Sequence, residues 1–372
     1  MNIGLDAKRA FVNQSGLGNY ARTLINGLVR FFPENNYHLF TTEEKNDLFP
    51  KQTTTKRNIS IHTPSGFINR HIKSIWRSYG ITPIITKENI NIYHGLSNEL
   101  PFNISQFKGK KIVTIHDLIF LRYPQLYPAI DRKIYDIKFR SACKQADVIV
   151  SISEQTKQDI QYYYSIPSEK IKVIYQSCDD LFYNIQTADQ IEVVKKKHNL
   201  PENYLLYVGT IEERKNILTI IKSLEQINDM PLVVVGKKKA YFKKVQEYII
   251  EKRLEKKIIF LKNVSNQDLP TIFSNAALFI YPSIFEGFGI PILEAITSKV
   301  PVITSKGSCF TEAGGPSTIY VNPTNEEELT HEIKKIIHST GLIEKMKSEG
   351  YEYSKKFLPE IISNQVLNLY AS

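Results

Sequence analysis

At 372 residues, 42% apolar and 23% charged, the chain has the composition of a soluble globular protein and is longer than one hydrophobic core usually serves, so two domains are expected. The net charge of +10 admits nucleic acid, an anionic membrane face or a plain lysine-rich surface. No helix-turn-helix, finger or aromatic-and-basic strand signature accompanies it, so no nucleic-acid partner is expected. Cys143, Cys178 and Cys309 stand apart with no Cys-x-x-Cys spacing, which excludes a disulfide framework and a cysteine zinc site and fits a reducing compartment.

The chain opens Met1-Asn-Ile-Gly-Leu-Asp, a strand pattern rather than a signal peptide, and no apolar run reaches spanning length. A cytoplasmic protein, or one peripheral to a membrane, is expected. Short apolar strands then alternate with helical patterns, the signature of parallel βαβ units. The first half predicts strands at Asn2–Asp6, Tyr37–Thr41, Ile59–His62, Ile90–His94, Lys111–His116, Asp147–Ile152 and Ile171–Tyr175. The second predicts Tyr204–Val208, Leu232–Val235, Ile258–Leu261, Leu278–Tyr281, Val300–Thr304 and Thr318–Val321. Between them Asp179–Leu200 is polar, lysine-rich and bounded by Pro201, and reads as a linker. The expected division is therefore a domain over 1–180, a linker over 181–200, a second domain over 201–357, and an amphipathic last helix over 358–372. Lys195–Lys197, Lys237–Lys239 and Lys243–Lys244 read as solvated faces.

Open α/β sheets bind ligands at the carboxyl ends of their strands, so the loops there carry the functional reading. After the first strand comes Asn13-Gln-Ser-Gly-Leu-Gly-Asn-Tyr, in which Gly16 and Gly18 precede a helical pattern from Tyr20. Such a loop presents amides to a phosphate or a sugar, or is a plain helix entry. Residues 68–79 put Ile68, Ile72, Ile75, Trp76 and Tyr79 on one helical face and Arg70, His71, Lys73 and Arg77 around the other. This is either a basic amphipathic helix on an anionic leaflet or a surface helix packed on the sheet. His94 and His116 each end a strand; a hydrogen-bonding or proton-transfer role and a structural one are both open for them. Gly209-Thr210-Ile-Glu-Glu-Arg214-Lys215 leads into another helical pattern. Two adjacent cations at a helix entry oppose the dipole and call for an anion between them, with Arg suited to bidentate phosphate contact.

The most informative segment is Tyr281–Ala295, where an apolar strand meets a turn with Gly287 and Gly289, and Pro291 sits at a tolerant first helical turn. Glu286 and Glu294 flank seven residues across it. Amides at that helix start can face a diphosphate, and the two carboxylates can meet hydroxyl pairs at either end of a sugar nucleotide.

Phe-Glu-Gly-Phe-Gly-x-Pro-x-Leu-Glu-Ala, residues 285–295, resembles the Glu-x7-Glu signature of the family 4 retaining glycosyltransferases. The resemblance covers nearly the whole chain. It implies a GT-B fold, α/β, with two facing Rossmann-like doubly wound domains, an interdomain cleft and a last helix that crosses back to the first domain. It also implies retaining transfer of a hexose from a GDP-mannose or UDP-hexose type donor to a saccharide or lipid-linked acceptor, with no metal and no cofactor. Consistent with that, no Asp-x-Asp occurs in the chain. By this match Glu286 contacts the transferred sugar, Glu294 the ribose, Arg214 and Lys215 the donor diphosphate, and His116 the donor sugar. Gly16, Gly18, Gly209, Thr210, Gly287, Phe288 and Gly289 line the donor. Many relatives carry Arg where this chain has Thr210, so the phosphate clamp is expected to lean on Arg214 and Lys215. Retention here implies a front-face displacement in which the departing phosphate takes the acceptor's proton. A Trp-bearing stretch followed by Tyr-His-Gly and Leu-Pro is similar to mannosyl- and hexosyltransferases of surface polysaccharide assembly. The rival readings are a sugar-nucleotide epimerase or hydrolase of the same fold, and a non-catalytic basic membrane- or nucleic-acid-binding protein.

Overall fold

The computed structural model describes residues 1–14, 16–44, 49, 53, 55–65, 73–228 and 230–372. The chain divides into two compact units, Met1–Cys178 with Phe357–Ser372, and Asp179–Lys356.

The first unit holds a seven-stranded sheet of β1 (Asn2–Asp6), β2 (Asn36–Phe40), β3 (Ile59–His62), β4 (Ile92–Gly95), β5 (Lys110–Ile115), β6 (Val148–Ser151) and β7 (Ile171–Val173). Its order is β3-β2-β1-β4-β5-β6-β7, with every pairing parallel. The second unit holds β8 (Leu205–Val208), β9 (Leu232–Val235), β10 (Ile258–Phe260), β11 (Leu278–Tyr281), β12 (Val302–Ser305) and β13 (Ile319–Val321). Their order is β10-β9-β8-β11-β12-β13, again all parallel. Runs such as Leu278-Phe-Ile-Tyr, buried at all four positions, are continuous rather than alternating because helices cover both faces of a parallel sheet. In each sheet the chain winds outward on one side and then returns to the other, so the switch points lie between β1 and β4 and between β8 and β11.

The last helix, Pro359–Ala371, folds into the first unit against helix Gly16–Phe31. Ile362, Val366 and Tyr370 are buried in its core, while Ile361 is 40% exposed. The helices meet closely at Gly27, where a Cβ would lie 2.2 Å from Ser363 Oγ.

One sequence expectation is corrected here and two open alternatives resolve. The stretch 181–200 is not a linker: a turn at Asp180–Tyr183 and a helix at Ala188–His198 belong to the second unit. Thr187 and Gln190 form a capping box, Phe182 packs on Phe273 at 5.6 Å between centroids, and Lys197 and His198 bond Asp268 at 2.7 and 3.0 Å. Composition hid this because a short helix exposes most of its lysines. After β1 a short helix, Lys8–Val12, precedes the helix that begins at Gly16, so Gly16 and Gly18 form the first turn of the latter rather than a free loop; Ser15 lies outside the described residues. Trp76 is in the core at 2% exposure, and Arg77 is buried against Asp6 and Glu99 at 2.6 and 2.5 Å, so neither serves a membrane-facing helix. Ile68, Arg70, His71 and Ile72 lie outside the described residues.

Candidate active site

In the second unit, the loops after β8 and β11 flank the switch point and are laced together. Ile284 N–H donates to Arg214 O at 2.8 Å, and Ser283 Oγ lies 3.2 Å from the same oxygen. Asn216, in the left-handed region at φ 56°, donates through Nδ2 to Pro282 O at 3.2 Å and Pro323 O at 2.6 Å. Gly209 ends β8 against Gly236, where a Cβ would lie 1.8 Å from Gly209 O, so only glycine lets these two strand ends approach. Thr210 follows in the same loop, its carbonyl accepting from Tyr207 OH at 3.3 Å.

This lacing brings Arg214 and Lys215 onto Glu286. Glu286 Oε1 receives Lys215 Nζ at 2.5 Å, Ser283 Oγ at 2.6 Å, Arg214 Nη1 at 2.7 Å and Tyr281 OH at 3.1 Å. Lys215 Nζ also donates to Tyr281 OH at 2.5 Å. Arg214 additionally donates to Phe285 O, and its Nη2 meets Glu212 Oε1 at 3.0 Å, a carboxylate that Lys239 holds on its other oxygen at 2.6 Å. Burial by itself raises a carboxyl pKa, but here Lys215 and Arg214, with hydrogen bonds from Lys215 and Ser283, outweigh it and hold Glu286 at about 2. Burial in turn pushes the Lys215 ammonium down, Glu286 opposing and Arg214 assisting. The anion that the two adjacent cations called for is thus the protein's own Glu286. Tyr281, Ser283 and Glu212 were not singled out from the sequence; Ser283 and Tyr281 sit within the same motif, but nothing in their spacing reveals that they aim at one oxygen.

Gly289, at φ 105°, turns the chain into helix Ile290–Thr297, whose start has no side-chain cap and carries Pro291 in its first turn. The Phe288 ring is buried at 2%, and its carbonyl and that of Glu286 accept from Cys309 Sγ at 3.0 and 3.2 Å, so Phe288 offers a ligand only backbone. Gly287 lies between them in the same turn. Glu294, one turn into the helix, is 7% exposed and makes no side-chain hydrogen bond or ion pair among the described residues. Burial, with a smaller contribution from Asp179, raises its pKa to about 8. The two glutamates therefore differ sharply: one is a paired carboxylate, the other a buried carboxyl without a partner.

In the first unit, Gly18 packs tightly, a Cβ there falling 1.9 Å from Asn13 O, whereas Gly16 has open space. Arg22 holds the preceding turn by donating to Ala10 O at 2.8 Å and Asn13 O at 2.9 Å. The His116 ring donates from Nε2 to Leu96 O at 2.9 Å, which leaves Nδ1 to accept from Gln176 Nε2 at 3.0 Å. Burial lowers its pKa to about 4. In the free protein His116 is thus a buried ring with both nitrogens engaged in hydrogen bonds. His94 is fully buried, its nitrogens on Tyr370 OH at 2.7 Å and Thr114 Oγ1 at 2.8 Å, and it fastens the last helix to β4.

Comparison with known proteins places this architecture. Residues 14–180 match the family described as Glycosyltransferase Family 4, and residues 189–353 match Glycosyl transferases group 1. The chain is 30% identical over 253 residues to the O-antigen chain mannosyltransferase RfbU of Salmonella typhimurium, covering 68% of each. It is 25% identical over 284 residues to O-antigen chain mannosyltransferase B of Escherichia coli, covering 75% of this chain and 74% of that one. Among solved structures, a sucrose-phosphate synthase from Thermosynechococcus elongatus superposes with TM-score 0.80 at 20% identity, over 100% of this chain and 98% of that one. WaaG, a glycosyltransferase involved in lipopolysaccharide biosynthesis, gives 0.72 at 15% identity over 100% of both. HepE of Anabaena in complex with UDP-glucose gives 0.76 at 16% identity, over 100% and 99%. With one relative at 30% identity over two-thirds of the chain and matching models over both units, this chain belongs to the family 4 glycosyltransferases and has the GT-B fold.

Proposed function

We propose that the chain transfers a hexosyl residue, with retention, from a nucleoside-diphosphate sugar to a saccharide or lipid-linked saccharide. The observation that carries this reading is the pairing of a cationic cluster, Arg214 and Lys215, with an uncapped helix start at Gly289 on the two loops beside the β8–β11 switch point. Such a place suits a diphosphate, whose charge grows as the glycosidic bond breaks. The ribose belongs at Glu294, whose unpartnered carboxyl gains two hydroxyl donors from a vicinal diol. The sugar belongs at Glu286.

In this scheme the donor phosphate competes with Glu286 for Arg214 and Lys215. Cations released to the phosphate stabilise the leaving nucleoside diphosphate, and Glu286 is freed to accept from sugar hydroxyls. The bond from the anomeric carbon to phosphate oxygen breaks, the acceptor oxygen bonds to that carbon from the same face, and the acceptor's proton goes to the departing phosphate oxygen. No protein base is then required, which agrees with a neutral His116. The names of the two curated relatives favour mannose as the sugar and hence a GDP-mannose type donor, while the HepE complex leaves a UDP-hexose type in view. A cytoplasmic setting suits three buried free thiols.

Calorimetric titration with GDP and UDP, followed by transfer assays with GDP-mannose and UDP-hexoses, tests the reading. Tight binding of one nucleoside diphosphate, with transfer from its sugar and retained anomeric configuration by NMR, is expected. Absence of binding to either would reject it.

A further inference from the structure

Backbone pairing between β11 and β12 ends at Tyr281 and Thr304, at the entrance to the turn that carries Glu286. Side chains continue the lacing beyond it. Thr304 Oγ1 donates to Tyr281 O at 2.7 Å, and Ser305 Oγ donates to Ser283 O at 2.6 Å. Farther along, Ser308 Oγ donates to Glu286 O at 3.2 Å, and Cys309 Sγ stands 3.0 Å from Phe288 O and 3.2 Å from Glu286 O. A thiol has one proton and serves one carbonyl at a time, so Ser308 on Glu286 O leaves Cys309 for Phe288 O. Gly307 and Ser308, both left-handed at φ 81° and 53°, turn the loop after β12 back onto the motif. That conformation is costly for a serine and persists where surrounding contacts impose it.

Four carbonyls of the motif segment therefore face β12 and its loop. In a trans peptide the C=O and N–H of one unit point opposite ways, so each pinned carbonyl aims the following amide away from that loop. Residue 284 shows the outcome: Ser283 O faces Ser305, and Ile284 N–H donates across to Arg214 O at 2.8 Å. By the same geometry, Phe288 O on Cys309 turns Gly289 N–H away from the loop, at the uncapped start of helix Ile290–Thr297. Glycine offers no Cβ to restrain the peptide before it, so the direction of this amide needs an outside hold. Pro291 has no N–H, which leaves few amides at that helix start and makes the aim of each one count. Cys309 is fully buried, and burial, with Glu286 adding to it, pushes its thiol up, so the proton that it donates stays in place.

We propose, resting on the diphosphate reading of this site, that Cys309 is a positioning residue whose thiol holds the Phe288–Gly289 peptide so that Gly289 N–H faces the donor phosphate. Cys309 acts through that peptide and has no need to touch the donor.

Phe288-Gly289 is the one Phe-Gly pair in the sequence, so phenylalanine labelled with 13C at its carbonyl and glycine labelled with 15N give a single NMR correlation for this peptide. In wild type the Gly289 amide proton should move downfield when GDP or UDP binds. In Cys309→Ala the correlation should shift in the free protein, and the nucleotide-induced movement should shrink. Its Kd for the nucleoside diphosphate should rise about tenfold and its kcat fall about as much, because the amide faces charge that grows in the transition state. Its Kd for guanosine or uridine, which carry no phosphate, should stay within about twofold of wild type. Cys309→Ser restores a donor at the same place and should return every readout to within about twofold. An unmoved correlation in Cys309→Ala, equal weakening of nucleoside and nucleoside diphosphate, or a Cys309→Ser variant as impaired as Cys309→Ala would each overturn the proposal. Wild type that binds GDP or UDP while its Gly289 proton stays in place overturns this inference alone, whatever the variants do. Wild type that binds neither nucleotide overturns the proposed function as well.

Discussion

Glu294 gives the sharpest prediction, because its environment destabilises the free protein in the state that binding would use. Its carboxyl is buried without a partner and has its pKa raised from 4.5 to about 8. The sign follows from linkage: the native state holds the proton more tightly than the unfolded chain, so the favourable contribution is complete below pH 4.5 and is lost as pH rises through about 8. Between pH 5 and pH 8 the loss amounts to roughly 3 kcal/mol at 1.36 kcal/mol per unit. Glu294→Gln keeps the shape and removes the titration. The variant should therefore gain roughly 3 kcal/mol relative to wild type between those two pH values, or about 6–12 °C in the melting of a unit of this size. Scanning calorimetry of both proteins at pH 5 and pH 8 is the assay; the comparison of slopes cancels whatever burying an amide costs. If the two melting curves shift in parallel with pH, Glu294 is not a desolvated carboxyl and the reasoning fails.

The same carboxyl should link nucleotide binding to pH. Hydroxyl donors from the ribose favour the charged form, so binding should release a proton and tighten as pH rises toward 8, then level off. Titrations in buffers of different ionisation enthalpy would show it, and Glu294→Ala should raise Kd for the nucleoside diphosphate by about ten- to a hundred-fold. Glu286→Gln strips Arg214 and Lys215 of their shared carboxylate; transfer should fall and the free protein should lose on the order of 3 kcal/mol, while nucleoside diphosphate binding holds or strengthens. Loss of nucleotide affinity equal to that of Glu294→Ala would break the division of labour along the donor. Lys215→Ala and Arg214→Ala should each cost donor affinity and turnover, and turnover within about twofold of wild type in both would move the phosphate to another cation. Proton NMR of the His116 ring should show no titration between pH 5.5 and pH 8, given its pKa of about 4; a midpoint near neutrality would return it to acid–base candidacy.

Much of the architecture was legible along the chain because parallel strands, covered on both faces, are continuous apolar runs that announce themselves locally. The thirteen strands among the described residues each overlap an expected one, and Asn2–Asp6, Ile59–His62, Leu232–Val235 and Leu278–Tyr281 coincide end to end with the expected elements. The motif at 285–295 named the family because its glycines, proline and glutamates satisfy backbone needs that neighbouring residues impose on one another. What the chain order could not disclose is which charges share a partner. Lys215 and Glu286 lie 71 residues apart, and only the side-by-side placement of β8 and β11 puts a guanidinium, an ammonium and two hydroxyls on one carboxylate oxygen while leaving Glu294 without a partner among the described residues. The same holds for His116 and His94, whose ring nitrogens find Leu96, Gln176, Tyr370 and Thr114, and for Arg77, whose apparent place on a solvated helix face became a buried pair with Asp6. Local periodicity reports how a segment buries its own surface. The protonation state and partner of a polar group depend on desolvation and on contacts distant in sequence, and those exist only once the sheets have formed.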